Sequence, residues 1–359
     1  MRIFIRRSEF MISKEPKMLG NQIRVAFEGD GEQEVHSTGA DAGTIPRTDI
    51  LTVGVCVITY KRPKGLHRCL QSLQLLQFRL SSTPHISIFV VDNDPSASAQ
   101  PIVQQLQTLS KWPITYDVEP TRGISYARNR AVSLAKDCDF IAFIDDDEYA
   151  DPFWLDELLE TQRLHNADVV AGSVIPEFEG KPPAWVVDGG FFEKRWAKTG
   201  EEIPSAHTAN VLIRRQVLAG VEGPFDPRFA LTGGSDTLLS LRLKRTGSKI
   251  VWCERSVVWE SIPPSRSNFS WVIRRAYRIG NTRVRCEKAL PPDLRRSMRS
   301  LVMGAGFTLL RESLKLAPSL LLQGKVRAIK RLTWMATACG IITGFLGIGY
   351  EEYRQIHGS

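Results

Sequence analysis

The 359-residue chain has few cysteines, and their arrangement carries no chemistry. Its six, Cys56, Cys69, Cys138, Cys253, Cys286 and Cys339, form no CxxC pair, and several fall in apolar runs. That speaks against a disulfide framework or a cysteine zinc site and predicts reduced core thiols in a cytosolic compartment. None of the six histidines stands at zinc-ligand spacing. There is no GxxxxGK followed by Ser or Thr and no GxGxxG, so neither kind of glycine-rich phosphate loop is present. No internal repeat is evident. The N-terminal "MRIFIRRSEF" is basic, but arginines break its apolar run before it is long enough for a secretory signal. The expectation is a protein that stays inside the cell.

The charge is one-sided. From Ser261 onward 17 Lys and Arg stand against 5 Asp and Glu, a balance of +12, which leaves the first 260 residues at −4 of the total +8. A basic end of this kind suits an anionic membrane surface or a pyrophosphate-bearing substrate. Nucleic acid suits it less well, because most of the chain is net acidic, so no nucleic-acid partner is expected.

Residues 1–49 are turn-rich without periodicity and read as a disordered extension. A globular domain over 50–290 opens on "LTVGVCVITY", a β-branched run typical of a buried strand. A helical pattern through "GLHRCLQSLQLL" follows, then the strand "ISIFVVDND", the helix "IVQQLQTL", the strand "ITYDVEP", the helix "GISYARNRAVSLA" and the strand "DFIAFIDDD". This alternation predicts an α/β fold, a mixed and mainly parallel sheet with helices on both faces. Ligands of such sheets bind beyond the carboxyl ends of the strands. The polar clusters Thr59–Arg62, Asp92–Asp94 and Asp145–Asp147 should therefore share one rim. Asp94, before Pro95, reads as a turn or cap residue.

Asp145, Asp146, Asp147 and Glu148 crowd onto the end of an apolar strand. Adjacent carboxylates repel, and buried ones are costly unless a cation neutralises them. A cap explains one of them, whereas a hard divalent cation, Mg²⁺ or Mn²⁺, explains several. Asp145 and Asp147 make a DxD pair, a short pattern that also recurs by chance.

In order from Leu51 to Lys288 the chain carries "VITYKRP", "VVDND", "TRGISYARN", "FIDDDE", "TANVLIRR", "FALTGGSDTLLSLRLKRTG" and "WVIRRAYRIGNTRVR". With these motifs it resembles the family 2 glycosyltransferases of the GT-A nucleotide-sugar fold. Within them it is most similar to bacterial enzymes that build exopolysaccharide repeat units on a polyprenyl diphosphate, as in succinoglycan synthesis. The resemblance implies that Thr59, Lys61 and Arg62 line the nucleotide base pocket and that Asp92 bonds a uracil edge. It implies that Arg122, with Gly123, lies over base or diphosphate, that Asp145 and Asp146 face ribose and metal, and that Asp147 ligates the metal. Asp236, in "GGSDT", would be the catalytic base of an inverting transfer. A single base suffices when a metal screens the departing diphosphate. As a residue at a helix N-terminus, Asp236 also reads as a simple cap.

Two positions depart from the family pattern. Ser235 stands where relatives carry an acid, which puts acceptor binding in question. Glu260 stands in "SVVWESIPPSR" where many offer a histidine, and it reads equally as a metal ligand or a surface glutamate. Arg274, Arg278 and Arg285 share a helical face, and one or two of them, Arg274 and Arg278 first, would clamp a diphosphate. Trp185 reads as a core residue before an acceptor-stacking one.

The region 291–359 reads as helical and membrane-associated. It includes 19 uncharged residues after Arg331, "LTWMATACGIITGFLGIGY", close to the ~20 that a span needs. Helices lying on the cytoplasmic leaflet are the first reading, with a span second and a soluble hairpin third. The expected protein is thus a metal-dependent transferase moving a sugar from a UDP-sugar to a lipid-linked glycan at the inner face of the cytoplasmic membrane. Its rivals are a catalytically degenerate nucleotide-binding homologue, which Ser235 would favour, and a sugar nucleotidyltransferase, which lacks its glycine-rich loop here.

Overall fold

The computed structural model describes residues 50–79, 83–193, 197–219 and 223–350. The extension expected over 1–49 lies outside them. The strands are β1 (Thr52–Thr59), β2 (His85–Asp92), β3 (Ile114–Val118), β4 (Phe140–Asp145), β5 (Glu148–Ala150), β6 (Val169–Phe178), β7 (Asn210–Arg214) and β8 (Ile250–Ile262). The helices are α1 (Pro63–Gln74), α2 (Gln100–Gln107), α3 (Ile124–Leu134), α4 (Trp154–His165), α5 (Ala184–Gly189), α6 (Ser235–Arg245), α7 (Phe269–Ala289), α8 (Met298–Leu322) and α9 (Lys325–Phe345).

All eight strands form one sheet in the order β3-β2-β1-β4-β7-β6-β8-β5. Neighbours run parallel except at β4/β7, β6/β7 and β5/β8. The mixed, mainly parallel sheet expected from the alternation is what forms. Side chains of β1 alternate between its faces, as strand geometry requires. Val53, Val55 and Val57 pack with Leu66, Leu70, Trp154 and Leu158 of α1 and α4. Cys56 and Ile58 pack on the other face with Ala127, Ala131 and Leu239 of α3 and α6. All six cysteines are free, and four are buried in the core.

The register fixes the rim. Thr59 pairs with Asp92 across β1/β2, and Ile58 with Asp145 across β1/β4. Parallel strands all end at the same edge of a sheet, so the three polar clusters meet there, as the ligand rule for such sheets requires.

The C-terminal helices belong to the same compact unit as the sheet. Helix α9 packs along α7 with their backbones in close contact. A Cβ on Gly280 would strike the Thr337 carbonyl, and one on Gly340 would strike the Tyr277 carbonyl. Polar bonds secure the crossing: Thr337 Oγ1 donates to the Ala276 carbonyl at 3.1 Å and Lys288 Nζ to the Phe345 carbonyl at 2.9 Å. An ion pair between buried Glu312 and Arg331, at 2.8 Å, joins α8 to α9. Among the described residues no helix is long and apolar enough to cross a membrane. The uncharged stretch after Arg331 is spent largely on packing α9 against α7. Helix α8 leaves Met303, Phe307, Leu310, Leu314 and Leu321 exposed at i, i+4, i+7, i+11 and i+18, one apolar stripe.

Candidate active site

The acidic cluster is a tight turn from β4 into β5. Glu148 is buried and folds back so that its Oε2 accepts the Asp145 amide at 3.0 Å. Asp146 also points inward. Its Oδ2 accepts from Thr59 Oγ1 at 2.8 Å and its Oδ1 from Arg62 at 3.1 Å. Burial pushes the Asp146 carboxyl up to about 7, with Arg62 pulling it down and neighbouring Asp147 adding to the rise. Asp146 is thus enclosed by its own chain, and the Thr59 hydroxyl is given to its carboxylate.

Asp145 and Asp147 remain as the outward carboxylates, with side chains 40% and 20% exposed. Asp147 Oδ2 lies 3.1 Å from Arg62 and 3.2 Å from Arg266. Arg266 is also 3.6 Å from Glu260, which sits on β8 directly opposite Glu148 in the β5/β8 register. Glu260 is thus brought beside Asp147, with a guanidinium between them. Among the described residues no group of three metal-binding side chains is close enough to cage a cation alone. The donor set nevertheless suits Mg²⁺ or Mn²⁺, which take one or two carboxylates and complete their shell with water and substrate phosphate. Two guanidiniums converge on one Asp147 oxygen and neutralise it.

Asp92 is likewise turned inward. It is fully buried, and its carboxylate accepts the amides of Asp94 at 3.0 Å and Ala99 at 2.8 Å and the Tyr116 hydroxyl at 3.0 Å. With those bonds it shapes the β2–α2 loop. Asp94 bonds Ser96 and acts as a turn residue, as expected. The exposed part of this rim is Lys61 and Arg122, whose cations lie 5.4 and 5.7 Å from the ring of Tyr60. Gly123 lets the start of α3 come close enough to touch Ala230; its φ of 142° and a clash between an added Cβ and Ala230 both require glycine.

Asp236 stands in the first turn of α6. Its Oδ1 accepts the Thr237 amide at 2.8 Å, and its Oδ2 lies 3.3 Å from His207 Nδ1. Burial works to raise its pKa but is outweighed by the His207 hydrogen bond and charge, then by Arg128 and the Thr237 amide. The carboxyl is held below its usual range. A cavity of about 20 Å³, room for about one water, lies against Asp236 and His207, lined by Val211, Leu239 and Ser240.

Arg128, which sequence reasoning passed over, ties the two halves together. It is buried on α3, with NH1 3.4 Å from Ser235 Oγ and NH2 3.9 Å from Asp145. One guanidinium thus spans the acidic turn and the residue beside the candidate base. Its signal lay in the helix pattern. Ile124, Ala127, Arg128 and Ala131 make an i, i+3, i+4, i+7 stripe facing the core, and an arginine there needs partners. His207 had no such signal in "SAHTAN".

Helix α7 backs this arrangement. Thr282 and Cys286 face Gly234, with Cys286 Sγ 3.5 Å from its carbonyl. Arg278 is half-buried one turn before Thr282 on that face. Arg285 instead lies over Phe229 and donates to the Arg228 carbonyl at 3.3 Å. Arg274 is exposed on the same helix. Trp185 packs edge-on to Phe191 and Phe269, as the core reading anticipated.

The rim thus carries an acidic turn and, in the first turn of α6, the Asp236 carboxylate. The glycosyl transferase family 2 model matches residues 54–221. The succinoglycan biosynthesis protein ExoM of Rhizobium meliloti is 30% identical over 309 residues, covering 85% of this chain and 95% of that protein. The chain therefore belongs to glycosyl transferase family 2. A glucosyl-dolichyl phosphate glucuronosyltransferase of Haloferax volcanii is 27% identical over 174 residues, covering 44% of this chain and 54% of that protein. Among solved structures, a mannosyltransferase from Pyrobaculum calidifontis in complex with GDP-Man and Mn²⁺ has a TM-score of 0.52 at 17% identity, covering 82% of this chain and 86% of that one; it shares the fold.

Proposed function

We propose that the protein is an inverting, metal-dependent transferase that moves a sugar from a nucleotide sugar, UDP-linked in our reading, to a lipid-linked glycan at the cytoplasmic face of the membrane. The observation that carries it is the Arg128 link, which keeps the acidic turn and Asp236 on one side of the rim. Asp145 and Asp147 would hold the metal, with Glu260 beside them. The metal supplies charge neutralisation at the departing diphosphate. Asp236 takes the proton of the acceptor hydroxyl as that oxygen bonds the anomeric carbon. The bond from that carbon to the diphosphate breaks on the opposite face, and its electron pair leaves with the nucleoside diphosphate. His207 and the Thr237 amide hold the Asp236 carboxylate in one orientation. Lys61, Arg122 and Tyr60 offer cations and an aromatic face to the nucleotide.

The acceptor reading rests on the relationship to ExoM and on the C-terminal helices. The apolar stripe of α8 is accompanied by exposed Arg295, Arg296, Arg299, Lys315, Lys325, Arg327 and Lys330, a combination that suits an anionic lipid surface.

The decisive experiment is sugar transfer from labelled UDP- and GDP-sugars into extracted membrane lipid, with Mn²⁺ or EDTA, run beside Asp236→Asn. Metal-dependent transfer from one donor, lost in the variant, supports the reading; transfer unaffected by EDTA removes the metal from it. Co-sedimentation with vesicles containing or lacking phosphatidylglycerol tests the location. Binding only to anionic vesicles, lost in Phe307→Ser/Leu314→Ser, is expected, and no binding to either overturns it.

A further inference from the structure

We propose that Arg266 is a ligand for the donor's diphosphate, stored on the metal-binding carboxylates until donor and cation arrive. This rests on the metal and nucleotide reading above and adds a residue to it. Arg266 sits in the tight turn between β8 and α7, where its amide donates to the Pro263 carbonyl at 2.9 Å. Its side chain is 13% exposed and reaches Asp147 at 3.2 Å and Glu260 at 3.6 Å. The oxygen of Asp147 that it meets already has Arg62 at 3.1 Å.

That crowding forces a choice. A divalent cation binds a carboxylate oxygen at about 2.1 Å, and three cationic centres around one oxygen repel one another strongly. A cation that takes this same oxygen displaces one guanidinium. Arg62 is the better anchored, because it also bonds buried Asp146 at 3.1 Å. Arg266 has the weaker hold, on Asp147 and on the more distant Glu260, and it projects from a turn outside the sheet. Arg266 is therefore the group displaced. The incoming diphosphate brings its own negative charge beside the cation, and a guanidinium fork matches phosphate oxygens. The arginine trades one anion for another within a side chain's reach.

This exchange couples the ligands. Cation alone must displace Arg266 with nothing to receive it, so it binds weakly. Cation and nucleoside diphosphate together give the guanidinium a new partner, so each strengthens the other.

The test is calorimetric titration of the full chain with Mn²⁺ alone, UDP alone, and UDP in saturating Mn²⁺. It compares the unmodified protein with Arg266→Ala and Arg266→Lys, with melting temperature measured alongside. Arg266→Ala should bind Mn²⁺ alone about tenfold tighter and UDP with Mn²⁺ about tenfold more weakly. Arg266→Lys, which keeps the charge and loses the fork, should bind Mn²⁺ as the unmodified protein does and UDP at an intermediate level. A purely structural role would weaken both ligands together and lower the melting temperature, and that result overturns the assignment. Mn²⁺ binding unchanged or weaker in Arg266→Ala also overturns it. If the unmodified protein binds neither Mn²⁺ nor UDP, the underlying functional reading falls with it.

Discussion

The carboxyl of Asp146 is pushed up to about 7, whereas that of Asp236, also largely enclosed, is held below the usual carboxylate range. Burial raises both. What differs is the company. Asp146 has Asp147 next to it, and Arg62 divides its charge between the two. Asp236 has Ser235 next to it, with His207 Nδ1 at 3.3 Å and the Arg128 guanidinium, which Asp145 shares at 3.9 Å, bonded to Ser235. A neighbouring negative charge disfavours ionisation as surely as a positive one favours it. Asp236 has no carboxylate beside it in the chain, and the His207 contact, Arg128 and the Thr237 amide favour its ionised form over burial.

The largest effect in this comparison should come from Asp236→Asn. It should lower turnover by ~10²–10⁴-fold with UDP affinity unchanged, read by steady-state kinetics beside calorimetry. Arg128→Met should rank second, with turnover down about tenfold to a hundredfold, because it frees the acidic turn from the base loop and removes a charge that favours the Asp236 carboxylate. Ser235→Asp makes Asp236 resemble Asp146. The new carboxylate should raise the Asp236 pKa, and the acid limb of kcat/KM should move to higher pH; an unmoved limb would show that the neighbour does not set the ionisation.

The sign for the unmodified protein follows from the depressed pKa. Ionised Asp236 contributes stability that is fully present above its unfolded value of 3.8 and is lost as pH falls below it. Any limb seen between about pH 5 and 8 then belongs to another group. The smallest effect should be that of Thr59→Val, which removes one hydrogen bond to Asp146. A loss of about 1–3 kcal/mol in a denaturant titration, with kinetics nearly unchanged, is expected.

Much of the rim was legible in the sequence, because β-branched runs ending in polar clusters fix both the strands and the edge where they end. The motifs also singled out Asp145, Asp147 and Asp236, which all reach that edge. Inward or outward aim was not legible. Asp92 and Asp146 carry the same letter as their outward neighbours, and what turns them inward is Ala99, Tyr116 and Thr59, the last 87 residues from Asp146. Chain separation hid His207 for the same reason. Arg128 was hidden less deeply, since its place on an apolar stripe already asked for a counter-charge.

Helix α7 meets Gly234, two residues before Asp236, through Thr282, and α9 through Gly280. Barely half a helical turn separates the two footholds. Mechanically, α7 is a shared beam, loaded on one side by the loop that carries Asp236 and on the other by the helix joined to the apolar stripe of α8. Any residue larger than glycine at 280 or 234 would push α7 away from α9 or from the loop before Asp236, so two glycines set how closely both sides of this beam are held.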